Sequence, residues 1–398
     1  MIAYFDNSAT TKPCPEAVRA VTEALTETWG NPSSLHRLGI EAERRVRTAR
    51  LQVAEALGAD PERVFFTAGG TEADNWAVFS AARRLQKRGK HIITTQIEHH
   101  AILNPMRELE SMGFEVTYLA PDAEGRITVD ALRAALRKDT ILVSIMTVNN
   151  EVGSVMPVAS MAKLTHRLAP NALFHTDAVQ AFLHLPLRVS TLEADLISVS
   201  SHKVHGPKGA GALYVRKGMS LPPYLYGGGQ ENGYRSGTEA VPAIVGFGAA
   251  CAAASLREDC AREEALKQQI LSGLAEIPGV TVIGAHEAPH IVSFAVAGVR
   301  SQGLINCLQD MGVYVSAGSA CAKGHRSHVL EAMGTDPALI DGSVRVSLSR
   351  FTTQDETDAL LAAVRSASER LRGGESKNAT VQQPHRLGFV EASKNLPC

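Results

Sequence analysis

Between residue 60 and about residue 215, short runs rich in Val, Ile, Leu and Phe alternate with longer amphipathic stretches. Continuous apolar runs of strand length bounded by turn residues mark strands buried on both faces. A strand–helix–strand order makes such neighbours parallel, with helices covering both sides of the sheet. The runs are Val64–Thr67, His91–Thr95, Glu115–Leu119, Ile141–Val148, Leu173–Thr176, Leu196–Val199 and Ala212–Val215, with helical patterns such as Asn75–Gln86 and Met161–Leu168 between them. The pattern predicts an α/β fold with a mainly parallel sheet covered by helices. Upstream, Pro15 opens a helix containing Val18, Val21 and Leu25, and a second helix carrying Val46, Val53 and Leu57 stops at Gly58.

The stretch Leu221–Gly229, with two prolines and three glycines, reads as loop, and a long Ala-rich helix begins at about residue 242. Beyond it the rhythm changes to strands at Val280–Ile283, Ile291–Val296, Val313–Ser316 and Val344–Leu348, with helices at Gly303–Met311 and Asp355–Leu371. That is the pattern of a smaller α+β domain. The expected division is a large domain at 13–255, a small domain formed by 1–12 with 256–372, and a loosely held polar tail at 373–398.

Composition excludes several classes. The 398 residues include 40 Lys+Arg against 41 Asp+Glu, and the basic residues are scattered, which argues against nucleic acid as a partner. No apolar run is long enough to cross a bilayer, so no membrane partner is expected. Six cysteines, at 14, 251, 260, 307, 321 and 398, form no C-x-x-C pair and no zinc spacing, so no metal is expected and a reducing cytoplasm is. The segment Met1–Asp6 lacks the basic and apolar regions of a secretory signal, which points the same way.

Four segments have the residue types for chemistry. Ser200-Ser201-His202-Lys203 follows a buried strand, at the end where α/β sheets place ligands; a lysine there, among small residues and hydroxyls, suits a Schiff base, or is a surface lysine before a turn. Thr67-Ala68-Gly69-Gly70-Thr71-Glu72 joins a strand to a helix, and its amides with the Thr71 hydroxyl suit a phosphate, although an ordinary turn reads alike. No Lys follows those glycines, which excludes a nucleoside-triphosphate loop. Asp177, ending a buried strand, needs a cationic or donor partner such as a protonated pyridine nitrogen, or else caps a helix. Finally, the Glu98-His99-His100 segment offers an imidazole face to an aromatic ligand, or a solvated residue at a helix start.

With these motifs in order, and with Tyr4–Thr11, Asn31-Pro32-Ser33-Ser34, Asn149–Gly153 and Arg350-Phe351-Thr352-Thr353, the chain resembles the class V aminotransferases. Within them it is similar to the cysteine desulfurases of the NifS and IscS type. The resemblance implies pyridoxal 5′-phosphate (PLP) as cofactor, bound by Lys203 through a Schiff base, with Asp177 on the pyridine nitrogen, Gln180 and Asn150 on the 3′-oxygen side and His99 stacked on the ring. It assigns the phosphate to Gly70, Thr71, Ser200, His202 and, from a second subunit of a homodimer, Thr238. It makes Arg345 the clamp for the substrate carboxylate, beside Asn150, and Cys321 the sulfur nucleophile.

Small neighbours on both sides of Cys321 leave its sulfur unshielded, and Lys323, His325 and Arg326 favour the thiolate; Cys307, among large apolar residues, reads as structural. The implied reaction converts L-cysteine to L-alanine and leaves a persulfide on the enzyme for an acceptor protein, either an iron–sulfur scaffold or a tRNA-thiolation protein. A selenocysteine lyase or another class V enzyme is the alternative, and a non-catalytic sulfur-relay or scaffold subunit the alternative of another class. The segment Ala322–Arg326 departs from the family, being shorter and more basic than its usual Ser-rich, Pro-containing loop.

Overall fold

The computed structural model describes residues 2–317 and 326–373. In chain order the strands are β1 (Ala3–Tyr4), β2 (Val64–Thr67), β3 (His91–Thr95), β4 (Glu115–Leu119), β5 (Thr140–Ser144), β6 (Leu173–Asp177), β7 (Leu196–Ser200), β8 (Gly211–Val215), β9 (Val280–Ile283), β10 (Ile291–Val296), β11 (Val313–Tyr314), β12 (Ser316–Ala317) and β13 (Ser343–Ser347). Seven of them form one sheet in the order β2-β8-β7-β6-β5-β3-β4. All neighbours from β7 to β4 run parallel, and β8 alone is reversed, pairing antiparallel with both β7 and β2.

That reversal has a simple cause. Parallel neighbours need a crossover of a dozen or more residues, usually with a helix, and only ten residues separate Ser200 from Gly211. The chain therefore turns back at once, through a short 3₁₀ turn at Ser201–Lys203. This leaves Lys203 at the carboxyl edge of the sheet, held by a tight connection.

The apolar run that continues past β5 to Val148 does not stay in the sheet. From Ile145 the chain follows β6 irregularly, with Ile145 N donating to His175 O (3.1 Å) and Thr147 N to Asp177 O (2.9 Å). Its residues remain apolar because Met146 and Val148 form part of a cavity wall. The expected strand Val313–Ser316 is likewise two: β11 pairs parallel with β1, while β12 pairs with β13.

The Ala-rich segment divides into helices Val241–Ala252 and Leu256–Ala275, bent by 76° at the break. The first is apolar nearly all round and lies between the helices Pro15–Thr26 and Arg37–Leu57. Gly248 permits this: a Cβ there would stand 2.6 Å from Ala49 Cα. Arg37–Leu57 ends at Gly58, whose φ of 63° is the left-handed stop its glycine allows. No single helix among the described residues is long and apolar enough to cross a membrane.

A second, antiparallel sheet runs β12-β13-β10-β9. Its core joins Phe294, Val344 and Val346 to Leu304, Leu308 and Leu360, and the N-terminal Ala3 and Phe5 pack into it. The chain after β1 is then stitched along β13, with Asn7 Nδ2 donating to Ser347 O (2.8 Å) and Ser8 N to Ser347 Oγ (2.8 Å). On its other side the same segment meets the large sheet, where Thr11 N donates to His202 O (2.9 Å). Residues 5–11 thus bridge the two sheets directly beside Lys203.

Candidate active site

A cavity of about 390 Å³ opens at the carboxyl edge of the seven-stranded sheet. Gly70 and Thr71 reach it from the end of β2, His99 from β3, Asn150 from the loop after β5, Asp177 and Gln180 from β6, and Ser200, His202 and Lys203 from β7. Arg345 enters from β13 of the other sheet. Nine sequence-predicted residues of the large sheet and one of the small therefore share one cavity, across the point where the strand order reverses between β3 and β5.

Lys203 Nζ donates to the carbonyl oxygens of Ser8 and Ala9, at 2.5 and 2.8 Å. Gln180 Nε2 donates to the same Ser8 oxygen (2.9 Å), so the bridging segment orients both side chains. Asp177 Oδ1 accepts from Val179 N (2.8 Å). Burial pushes the Asp177 carboxyl up to about 6, against the lowering effects of that amide and of the Lys203 charge.

His99 is the cap of the helix His100–Ser111, and its Nδ1 accepts from Ala101 N (3.1 Å). With Nδ1 an acceptor, the ring proton sits on Nε2. Burial and, next, the Lys203 charge hold His99 down to about 4, so the ring is neutral at physiological pH. His202 is neutral for the same two reasons, with a value of about 4, and its Nδ1 pairs with Thr10 Oγ1 (3.2 Å).

The helix Gly70–Leu85 begins at this cavity with Gly69 as its cap, which has no side chain to satisfy the first amides. Gly70 itself is held to the adjoining wall: a Cβ would lie 2.8 Å from Val179 Cγ2. Facing the helix start, Ser200 Oγ is buried with no hydrogen-bond partner among the described residues. A helix N-terminus with free amides and an unpartnered hydroxyl is an anion site.

Arg345 is 3% exposed, with one terminal nitrogen on Asn150 O (2.8 Å) and the other on Asp6 Oδ1 (3.0 Å). Its Nε is buried and has no hydrogen-bond partner among the described residues. A guanidinium that lines a cavity with an unused donor can receive a carboxylate.

Two predicted residues are not in the cavity. Thr238 is exposed and lies elsewhere on the surface. Cys321 lies outside the described residues. Sequence reasoning also missed cavity residues: Ser8, Asp74, His100, Glu151 and His328. Asp74 left one signal, an acid amid the apolar residues Ala73, Trp76, Ala77 and Val78 of a helix. Glu151 lay within the Asn149–Gly153 motif with no role assigned, and His328 left no signal, because their meeting at the cavity depends on residues far apart in sequence.

A lysine and a buried carboxylate at the carboxyl edge of a doubly wound sheet, with a helix N-terminus beside them and an arginine opposite, define an α/β enzyme that works at that edge. The chain belongs to the class-V aminotransferase family, whose model matches residues 3–360. It is 43% identical over 376 residues to a protein named cysteine desulfurase IscS from Methanosarcina thermophila, covering 93% of this chain and 92% of that one. Among solved structures, a NifS-like protein superposes with a TM-score of 0.87 at 39% identity, covering 92% of this chain and 99% of that one. The protein SspA in complex with cysteine superposes with a TM-score of 0.78 at 33% identity, over 88% of this chain and 100% of that one.

Proposed function

We propose that the protein is a PLP-dependent L-cysteine desulfurase that releases L-alanine and keeps the sulfur as a persulfide on Cys321. The observation that carries this reading is the convergence of Lys203, Asp177, His99 and Arg345 on one cavity, in a chain whose relatives are named for that activity. PLP fits the residues present. The unpartnered Ser200 hydroxyl and the free amides at Gly70–Thr71 suit its phosphate, and the buried Asp177 carboxylate suits a protonated ring nitrogen. When bound, PLP supplies an electron sink for charge developing at the substrate Cα.

The chain's own residues do the rest. Gly70, Thr71, Ser200 and His202 would hold the phosphate, with Thr238 contributed by the other subunit of a homodimer. Asn150 and Gln180 would serve the 3′-oxygen of the cofactor, and the neutral His99 ring would face the cofactor and pass protons. Arg345 fixes the substrate carboxylate, with Asn150 beside it. Lys203 would hold the cofactor covalently and, with substrate bound, would take the Cα proton. Cys321 thiolate attacks the substrate sulfur: a sulfur–sulfur bond forms, the carbon–sulfur bond breaks, and protonation of the remaining fragment gives alanine. The persulfide then passes to an acceptor protein, an iron–sulfur scaffold or a tRNA-thiolation protein. The described cysteines at 14, 251, 260 and 307 are free thiols, in keeping with a reducing cytoplasm.

The direct test is product analysis with free L-cysteine and a thiol reductant. Alanine and sulfide should appear in equal amounts, and alanine without sulfide would overturn the reading. Arg345→Lys should keep the cofactor but raise KM for cysteine, because lysine loses the planar two-point contact. One charge-assisted hydrogen bond is worth about 1.5–3 kcal/mol, so kcat/KM should fall roughly tenfold or more. Unchanged kinetics would show that another residue holds the carboxylate.

The shared site has its own test. Mixing Lys203→Ala subunits with Thr238→Val subunits should create heterodimers in which one site has both an intact lysine and an intact partner threonine. Cofactor affinity should recover at that site; if mixing never restores it, Thr238 acts elsewhere.

A further inference from the structure

Beneath the cavity lies a cluster of acids with too few cations. Asp74 sits one helical turn after Gly70, on the helix that begins at the phosphate end of the site. It is 1% exposed, it lines the cavity, and its Oδ1 has no hydrogen-bond partner among the described residues. The nearest basic group among the described residues is His175 Nε2, at 3.7 Å. His175 and Asp177 are two apart on β6, so their side chains share one face, and Asp74 stands over that face.

His175 is not a counterion. Its Nδ1 pairs with Ser144 Oγ (2.8 Å) and its Nε2 with Ser198 Oγ (2.9 Å), hydroxyls that serve a neutral ring equally well. Full burial holds it down to about 3. Glu98, from the connection after β3, adds a third acid rather than a cation. Its Oε1 accepts from Thr95 Oγ1 (2.9 Å) and Met146 N (3.0 Å), its Oε2 is buried and unpartnered, and burial pushes it up to about 8. Lys203 is the cation whose charge lowers Asp177.

Two carboxylates in so dry a place do not both ionise. The support is unequal. Asp177 has the Val179 amide and the Lys203 charge, whereas among the described residues Asp74 has only the Ser198 hydroxyl and is repelled by Asp177 and Glu98. We propose that Asp74 is a positioning residue for Asp177: a carboxylic acid kept protonated on the cavity floor, which leaves the single negative charge there on Asp177, facing the ring nitrogen of the cofactor. The facing of the cofactor rests on the function proposed above; the proton on Asp74 does not.

Infrared spectroscopy of the full-length protein, labelled with ¹³C-aspartate, reads that proton directly. At pH 7 the wild type should show a protonated-carboxyl stretch that shifts with the label. Asp74→Asn should lose this band, and Glu98→Gln should keep it. If Asp74→Asn fails to fold, Asp177→Asn decides instead: the labelled band persists if Asp74 holds the proton and vanishes if Asp177 does. Absence of a labelled band in the wild type, or its survival in Asp74→Asn, overturns the proposal. Absence of a cofactor chromophore with the band intact would count against the cofactor alone.

Denaturation of the same proteins gives a second readout. A carboxyl whose folded-state pKa is raised stabilises fully at low pH and loses that contribution as pH rises towards its folded value. The folding constant of the wild type relative to Asp74→Asn should therefore fall as pH rises above ~4, by up to about tenfold per pH unit until the folded-state value is reached. A ratio that does not change with pH would overturn the assignment.

Discussion

Lys203→Ala protein should be colourless after purification, and borohydride should no longer fix cofactor to the peptide that carries residue 203. In the wild type the same treatment should label that peptide. Turnover of cysteine should drop by at least about 10³-fold, within the range a positioned proton-transfer group contributes, and loss of the covalent anchor adds to it. The expectation rests on where the tight β7–β8 turn leaves the side chain: at the carboxyl edge of the sheet, with Nζ on the carbonyls of Ser8 and Ala9, across from the buried Asp177. Lys203→Arg separates charge from chemistry, since it keeps the cation and cannot act as an amine nucleophile. Either variant retaining a borohydride-fixed chromophore and normal turnover would remove Lys203 from the reaction.

Cys321→Ser should bind cofactor and cysteine with the wild-type spectral changes, yet form no persulfide. Those binding steps need no thiol. A serine hydroxyl, with a pKa far above that of a thiol, is no comparable nucleophile at neutral pH, and alanine release should fall by about 10³-fold or more. Cys307→Ser is the control. Cys307 is buried in the core with Leu304 and Leu308, so the change should cost stability while leaving turnover per folded molecule nearly intact. After a short pulse of cysteine, mass spectrometry should find the added sulfur on the Cys321 peptide. Sulfur on the Cys14, Cys307 or Cys398 peptide, with Cys321→Ser fully active, would overturn both the nucleophile and the mechanism.

Much of the site was readable before any coordinate was known, because its residues belong to local signatures. Gly70, His99, Asp177 and Lys203 each follow a short apolar run, and the carboxyl ends of buried strands necessarily gather along one edge of a parallel sheet. Apolar periodicity was less reliable where burial has another cause. Ile145–Val148 reads like strand because it is dry, but it is dry as a cavity wall. The Ala-rich run from about residue 242 hid a 76° bend because the break falls at Ala253-Ala254-Ser255, with no glycine or proline to mark it.

Local sequence specifies the α/β architecture, the order of its elements and the chemical types brought to the edge of the sheet, all properties of neighbours a few residues apart. The tertiary structure decided what depends on distant pairs. It reversed β8, since ten residues cannot carry a parallel crossover. Residues 5–11 were laid between the sheets by hydrogen bonds to partners such as Ser347, 340 positions from Asn7, and their carbonyls then fell on Lys203 Nζ. Asp74 came to stand over His175 and Asp177, where its charge is a question of burial and of which cations are absent. Such effects follow from distance and desolvation between groups that share no local pattern, and a chain acquires them only when it folds.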